Sequence, residues 1–203
     1  REGLLIGEGF TQEELKSIDK DRNAQMSLES SVGYGMYQQV MHAKKYREII
    51  SNWKKLSESE KNKYNEQAKN ITEKTEKPET GRSVYYKEKM REAILSGKEN
   101  AENFAKNNLK GGFEIKSFEG DKATEDMMEA LEDAGYFQME GATEKEIKQF
   151  KKEIRDKLSG EGAQVTEATV FERYGKNFIF VHVNNAITNG CVGVYAHEVL
   201  HAF

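Results

Sequence analysis

Apolar residues recur every three to four positions over much of the chain, which is the spacing of helices that bury one face. Two segments show this spacing most clearly, residues 46–56 and 144–158. Their apolar positions are Tyr46, Ile49, Ile50, Trp53 and Leu56, and Ile147, Phe150, Ile154 and Leu158. The same pattern predicts further helices over residues 83–95, 100–109 and 123–134, with Ser96-Gly97-Lys98 ending the first of these.

Three segments toward the C-terminal end have the pattern of strands. Residues 113–118 alternate apolar and polar side chains, and residues 165–173 and 178–183 flank a turn at residues 174–177. Both faces of 178–183 are apolar, so this strand should lie in the interior of a sheet. A loop over 184–190 should then lead to a last helix. The sequence therefore predicts an α+β fold, mainly helical at first, with a helix on a small antiparallel sheet at the end.

Capping boxes mark the starts of three helices. In each, a Ser or Thr is followed three residues later by Glu, so that side chain and backbone can exchange hydrogen bonds across the first turn. The pairs are Thr11 with Glu14, Ser57 with Glu60, and Thr143 with Glu146.

The composition indicates a polar protein with a modest core. Of 203 residues, 33% are charged and 36% hydrophobic, and no apolar run approaches the ~20 residues that span a bilayer. We expect no membrane span and no signal peptide, and a first residue other than Met suggests a fragment or a processed product. The lone Cys191 fits a reducing compartment, so we expect an intracellular protein.

Charge is unevenly distributed along the chain. Within residues 28–77, Lys and Arg outnumber Asp and Glu by ten to seven, which gives +3 in a chain whose net charge is −4. Such asymmetry indicates a locally basic module.

Residues 50–69 contain Trp53, then Leu56-Ser57, then Glu60-Lys61, with Tyr64 and Ala68 further on. This pattern resembles the second and third helices of a high-mobility-group (HMG) box, and residues 31–38 resemble its first helix. The resemblance implies a three-helix module over 28–77 that binds and bends DNA from the minor groove. It also implies apolar wedges from Tyr34, Met36 or Tyr37 and phosphate contacts from Lys44, Lys45, Lys54 and Lys55. The alternative is a helical hairpin with Trp53 and Tyr64 in its core and a solvated lysine face.

His197, Glu198 and His201 form a His-Glu-x-x-His sequence in an apolar segment. Residues four apart share one face of a helix, so His197 and His201 can offer two imidazole nitrogens to one metal ion. Glu198 can then take a proton from the water that the metal activates.

The strand, the turn and this motif together, over residues 178–203, resemble the zincin-type metallopeptidases, including SprT-like and toxin or phage polyvalent-protein peptidases. The resemblance implies Zn²⁺ on His197 and His201, Glu198 as general base and acid, and a third ligand from farther downstream. The sequence ends at Phe203, before such a position, so either the domain continues or the site is incomplete. Cys191 and His182 are further candidate ligands, although a small buried cysteine and a structural or solvent-facing histidine fit the pattern better.

The predicted domains are an N-terminal helical segment (1–27), the HMG-box-like module (28–77), a helical linker (78–112) and a zincin-like domain (113–203). The predicted function is that of a zinc-dependent peptidase acting on a protein or peptide, tethered to DNA or packaged and delivered with a phage genome in the virion. The alternative is an HMG-box-like DNA-binding or architectural protein with a degenerate or incomplete peptidase domain. The sequence does not indicate an oligomeric state.

Overall fold

The computed structural model describes residues 34–108, 111–161 and 165–202, and for residues 34–37 the backbone alone. It divides into two compact units, Arg1–Ala93 and Ile94–Phe203. The boundary falls within the segment predicted as a helical linker. The predicted segment 1–27 and its capping box at Thr11 lie outside the described residues.

The first unit contains three helices in its described part: α1 (Tyr34–Lys55), α2 (Glu58–Thr75) and the first half of α3 (Gly81–Asn108). The capping box predicted for α2 is confirmed, since Ser57 Oγ accepts from the Glu60 backbone N–H at 3.3 Å. Its reciprocal bond runs from the Ser57 backbone N–H to the Glu60 carboxylate at 2.9 Å. A Cβ at Gly81 would lie 2.8 Å from the Asn65 backbone nitrogen, so the approach of α3 to α2 requires glycine there.

The predicted helix end at Ser96-Gly97-Lys98 is wrong, because α3 runs through it for 28 residues. Ile94, Ala101 and Ala105 are buried on either side of Gly97, in the core of the second unit. A glycine inside a helix costs about 1 kcal/mol relative to alanine, and packing of this face outweighs that cost.

The second unit is built on a three-stranded sheet of order β1-β3-β2. The strands are β1 (Gly112–Phe118), β2 (Ala168–Arg173) and β3 (Lys176–His182). β2 and β3 form the predicted antiparallel hairpin, with Tyr174 and Gly175 as a two-residue turn in which both residues have positive φ. β1 pairs parallel with β3, from Gly112 opposite Lys176 to Phe118 opposite His182.

The expectation of a purely antiparallel sheet is therefore wrong, and the sheet is mixed. Between β1 and the hairpin, the chain forms α4 (Ala123–Asp133) and α5 (Glu144–Ser159), both of which the apolar pattern predicts. A parallel pair needs a long crossover connection, and these two helices provide it. The α5 capping box at Thr143 and Glu146 is confirmed, with Thr143 Oγ1 accepting from the Glu146 N–H at 3.3 Å.

β3 lies at the centre of the sheet and is buried on both faces, as predicted. Ile179 and Val181 join a core cluster with residues of α3 and of the C-terminal helices. Phe178 and Phe180 join a second cluster with residues of α4 and α5.

Two short helices follow β3: α6 (Val183–Asn189) and α7 (Val194–His201). The predicted loop over 184–190 is therefore wrong, since most of it is α6. The reason is an unusual cap, because His182 Nδ1 accepts from the Asn185 backbone N–H at 3.3 Å. Gly190, with φ 70°, ends α6.

The fold is thus α+β and mainly helical, as predicted. In the described ranges, every helix is too short or too polar to cross a bilayer.

Candidate metal centre

Helix α7 brings the two histidines of the His-Glu-x-x-His sequence together. His197 Nε2 and His201 Nε2 lie 2.7 Å apart, and the rings meet edge to face with centroids 4.3 Å apart. At this distance, one ring donates its Nε2 proton to the unprotonated Nε2 of the other. The two Nε2 atoms therefore face each other on one side of α7.

The distance between the two Nε2 atoms is close to the separation of two nitrogen ligands on one zinc ion, although somewhat shorter. Zn–N bonds are about 2.0–2.1 Å, and tetrahedral angles then place two ligand nitrogens about 3.3 Å apart. The rings would have to separate by roughly 0.6 Å for a cation to replace the shared proton. His197 is half-buried and His201 is exposed, so the pair is open to solvent.

Glu198, between the two histidines in sequence, is half-buried. Burial raises the pKa of its carboxyl to about 7, and the negative charge of Glu167 raises it in the same direction. A carboxyl whose pKa is close to neutral exchanges protons readily in both directions at neutral pH, as a general base and acid must.

Glu167, directly before β2, is a neighbour of this site that the sequence patterns do not reveal. Its carboxylate accepts from Asn189 Nδ2 at 2.5 Å, at the C-terminal end of α6. The local sequence around Glu167 contains no motif that could have singled it out, because its proximity to Glu198 arises only when β2 packs beside α7.

Cys191 is held as a buried thiol in the connection between α6 and α7. It is 5% exposed, and burial raises its pKa to about 12. Its Sγ donates to the Asn189 carbonyl oxygen at 3.9 Å. These facts fit the interpretation of a small buried residue better than that of a thiolate ligand.

His182 is a structural histidine, the interpretation that its sequence context favoured. It is 3% exposed, and its Nε2 lies 3.1 Å from Thr124 Oγ1 while its Nδ1 caps α6. The cap requires an unprotonated Nδ1, so the folded protein holds the neutral ring.

Protein stability should therefore depend on the protonation of His182. Burial lowers its pKa below the ordinary 6.5. The unfolded chain thus binds the proton first as the pH falls, and the contribution of His182 is complete above about pH 6.5 and lost below it. Urea unfolding should show the stability advantage of the wild type over His182→Asn shrinking between neutral and acidic pH. Asn keeps a capping oxygen but does not titrate. A difference that is constant with pH would contradict this assignment.

Tyr195 fixes α7 against the sheet. Its side chain is 1% exposed, and its Oη lies 2.6 Å from Ser117 Oγ of β1. Val194 and Val199 of α7 are buried in the same core, and the two histidines lie at the margin of this buried face, His197 half-buried and His201 exposed.

Replacing Tyr195 by Phe should destabilise the protein by about 1 kcal/mol, because a part-buried hydrogen bond is lost and Ser117 keeps its hydroxyl. Urea unfolding of Tyr195→Phe, Ser117→Ala and the double variant measures the coupling. The two single effects should add to more than the double one. Strict additivity would show that the bond contributes nothing.

The third ligand that the zincin resemblance implies is not in the described ranges, where no group of three or more His, Cys, Asp or Glu can hold a metal ion. Within these ranges the site provides two imidazoles and a neighbouring carboxyl.

The residues proposed for DNA contact lie on α1, which is one continuous helix from Tyr34 to Lys55. Residues 34–38, part of the segment 31–38 assigned by resemblance to a separate first helix, are continuous with the segment assigned to the second. The described part of residues 28–77 therefore contains two helices and not the predicted three. Lys54 and Lys55 are exposed, Lys44 is half-buried, and Lys45 pairs with Glu48 at 3.0 Å. The side chains of Tyr34, Met36 and Tyr37 lie outside the described part. Trp53 packs against Tyr64 and Tyr85, with ring centroids 6.0 and 5.4 Å away.

Comparison with known proteins gives no match to this chain among family models, curated proteins or solved structures.

Proposed function

We propose that this chain carries the catalytic helix of a zinc-dependent peptidase. The observation that carries the proposal is the 2.7 Å distance between His197 Nε2 and His201 Nε2 on α7, with His201 exposed to solvent. Two histidines one helical turn apart, with a glutamate directly after the first, are the residues that such peptidases use for zinc and for proton transfer.

Each residue has a distinct part in this proposal. His197 and His201 would hold zinc, which when bound supplies a Lewis acid that polarises a carbonyl and acidifies water. Glu198 would accept the proton of the attacking water and pass it to the leaving amine.

The sheet offers a place for an extended substrate. α7 packs against β2 and β3. β2 bonds to β3 on one side, and in the described ranges no strand pairs with its other side. Free main-chain N–H and C=O groups along such an edge bind an extended peptide by adding it as a strand.

Removing the metal should remove the activity. The full chain is incubated with an unstructured protein such as casein, after treatment with a chelator and again after addition of one equivalent of zinc. We expect cleavage to stop on chelation and to return with zinc. Undiminished cleavage after chelation, or none with zinc present, would contradict the proposal.

A second candidate function is DNA binding through residues 28–77. The observation that favours it is the exposure of Lys54 and Lys55 at the end of α1, where neither side chain makes an ion pair in the part of the chain that the structure describes. Two adjacent exposed cations without an ion pair are available for phosphate groups.

A band-shift assay with a DNA duplex tests this candidate. Binding should weaken steeply with salt, and Lys54→Gln/Lys55→Gln should reduce that salt dependence by a slope of about 2. The control is Lys45→Gln, which removes a lysine already paired with Glu48. Absence of a shift at low salt would exclude this function.

A further inference from the structure

Helix α5 carries a basic stripe: Lys145, Lys148, Lys152 and Arg155, all exposed. Successive members are three or four residues apart, so they follow one face of the helix. The apolar residues of α5 pack against the second core cluster, and the basic stripe is turned away from them. Its length is about 15 Å, because ten steps of 1.5 Å separate Lys145 from Arg155.

The basic stripe makes no contribution to the fold that would explain it. None of its four side chains forms an ion pair or hydrogen bond within the described ranges. Glu144 stands four residues before Lys148, a spacing that favours pairing, yet the two do not pair. Neighbouring members of the stripe instead repel each other at i+3 and i+4.

Several other lysines in the described ranges, though not all, form ion pairs. Lys151 of the same helix bonds to Glu132 at 2.6 Å, and Lys89 bonds to Glu92 at 2.7 Å. Four unpaired charges of the same sign at spacings of three and four residues destabilise a helix. Sequence features that lower stability without a compensating contact are expected at functional surfaces.

We propose that the basic stripe on α5 binds the phosphate backbone of a nucleic acid duplex. The proposal does not depend on the metal centre. A row of cations spaced by 4.5 to 6 Å along a helix, as its rise of 1.5 Å per residue requires, matches a linear polyanion.

The surroundings of the basic stripe disfavour other partners. A membrane surface would need apolar residues beside the cations, and the apolar face of α5 is packed in the core. Glu144 and Asp156, each four residues from a lysine of the stripe, lie directly beside it and limit it to a narrow line. Proteins that bind single-stranded nucleic acid stack its bases on exposed aromatic side chains. The one aromatic residue of α5, Phe150, packs in the core, so the stripe is not suited to a single strand.

The test is fluorescence anisotropy of a labelled DNA duplex with the full chain over a range of salt concentrations. Lys148→Gln/Lys152→Gln removes two charges from the stripe. Lys151→Gln/Lys157→Gln removes two charges from the same helix off the stripe and is the matched control. Glutamine is a good helix former, and the stripe variant also removes repulsion, so both variants should fold, which circular dichroism checks.

We expect the stripe variant to bind the duplex about tenfold more weakly at low salt, with a log–log salt slope lower by about 2. The control should retain the wild-type affinity and slope. Equal losses in both variants would overturn the proposal, as would failure of the wild type to bind the duplex at low salt. A loss confined to Lys54→Gln/Lys55→Gln, tighter binding to the single strand, or binding to phosphatidylserine vesicles in place of the duplex would also overturn it.

Discussion

Glu198→Gln should lower the rate of peptide hydrolysis by about 10²–10⁴-fold, which is the usual contribution of a positioned general base and acid. The amide has the shape of the carboxyl but accepts no proton from water. Burial and the charge of Glu167 raise the pKa of the Glu198 carboxyl to about 7. The measurement is kcat/KM on an unstructured protein or a quenched fluorescent peptide with zinc present.

The control for this variant is Glu129→Gln, the same change at an exposed position of α4. It should leave the rate unchanged. Zinc affinity should survive Glu198→Gln, because the two imidazoles are untouched. Equal rates for the wild type and Glu198→Gln would refute the assigned role of Glu198, and loss of zinc in that variant would make Glu198 a ligand instead.

Phe180→Ala should destabilise the protein by about 3–5 kcal/mol, the range for truncating a fully buried aromatic side chain. Phe180 is 0% exposed at the centre of β3 and meets three other phenylalanine rings. Phe118, Phe171 and Phe178 lie 5.5, 5.8 and 5.9 Å from it, centroid to centroid. Urea unfolding measures the loss.

The matched control is Phe113→Ala on the edge strand β1, where the side chain is half-buried. It should cost clearly less, because less apolar surface returns to water. Similar costs at the two positions would mean that β3 is not the centre of the core.

Local rules in the sequence were enough to predict much of the fold. The period of Ile147, Phe150, Ile154 and Leu158, with the capping box at Thr143, predicts α5 closely. The apolar run of β3 predicts an interior strand because alternate side chains there must be buried on both faces. In these segments, propensity, pattern and tertiary packing agree.

Predictions failed where tertiary contacts override local preference. Gly97 is a poor helix residue, yet α3 continues because Ile94 and Ala101 are buried on either side. Residues 184–190 have the polar composition of a loop, and they fold as α6 because His182 caps them from the end of β3. The parallel pairing of β1 has no local signature, since it depends on where α4 and α5 return the chain.

The same distinction applies to the candidate metal centre. His197 and His201 are predictable because helical geometry alone places residues four apart on one face. Glu167, Asn189 and the bond between Tyr195 and Ser117 join residues far apart in sequence, so only the folded chain shows them.

The most direct test of the central claim is zinc binding by the full chain and by His197→Ala and His201→Ala. We expect one zinc per chain, with X-ray absorption showing two imidazole nitrogens at about 2.0–2.1 Å. Each alanine variant should lose more affinity than the roughly 10–100-fold that the loss of an outer-shell partner costs. Zinc bound with equal affinity by all three proteins, or not bound by the wild type, would contradict the account.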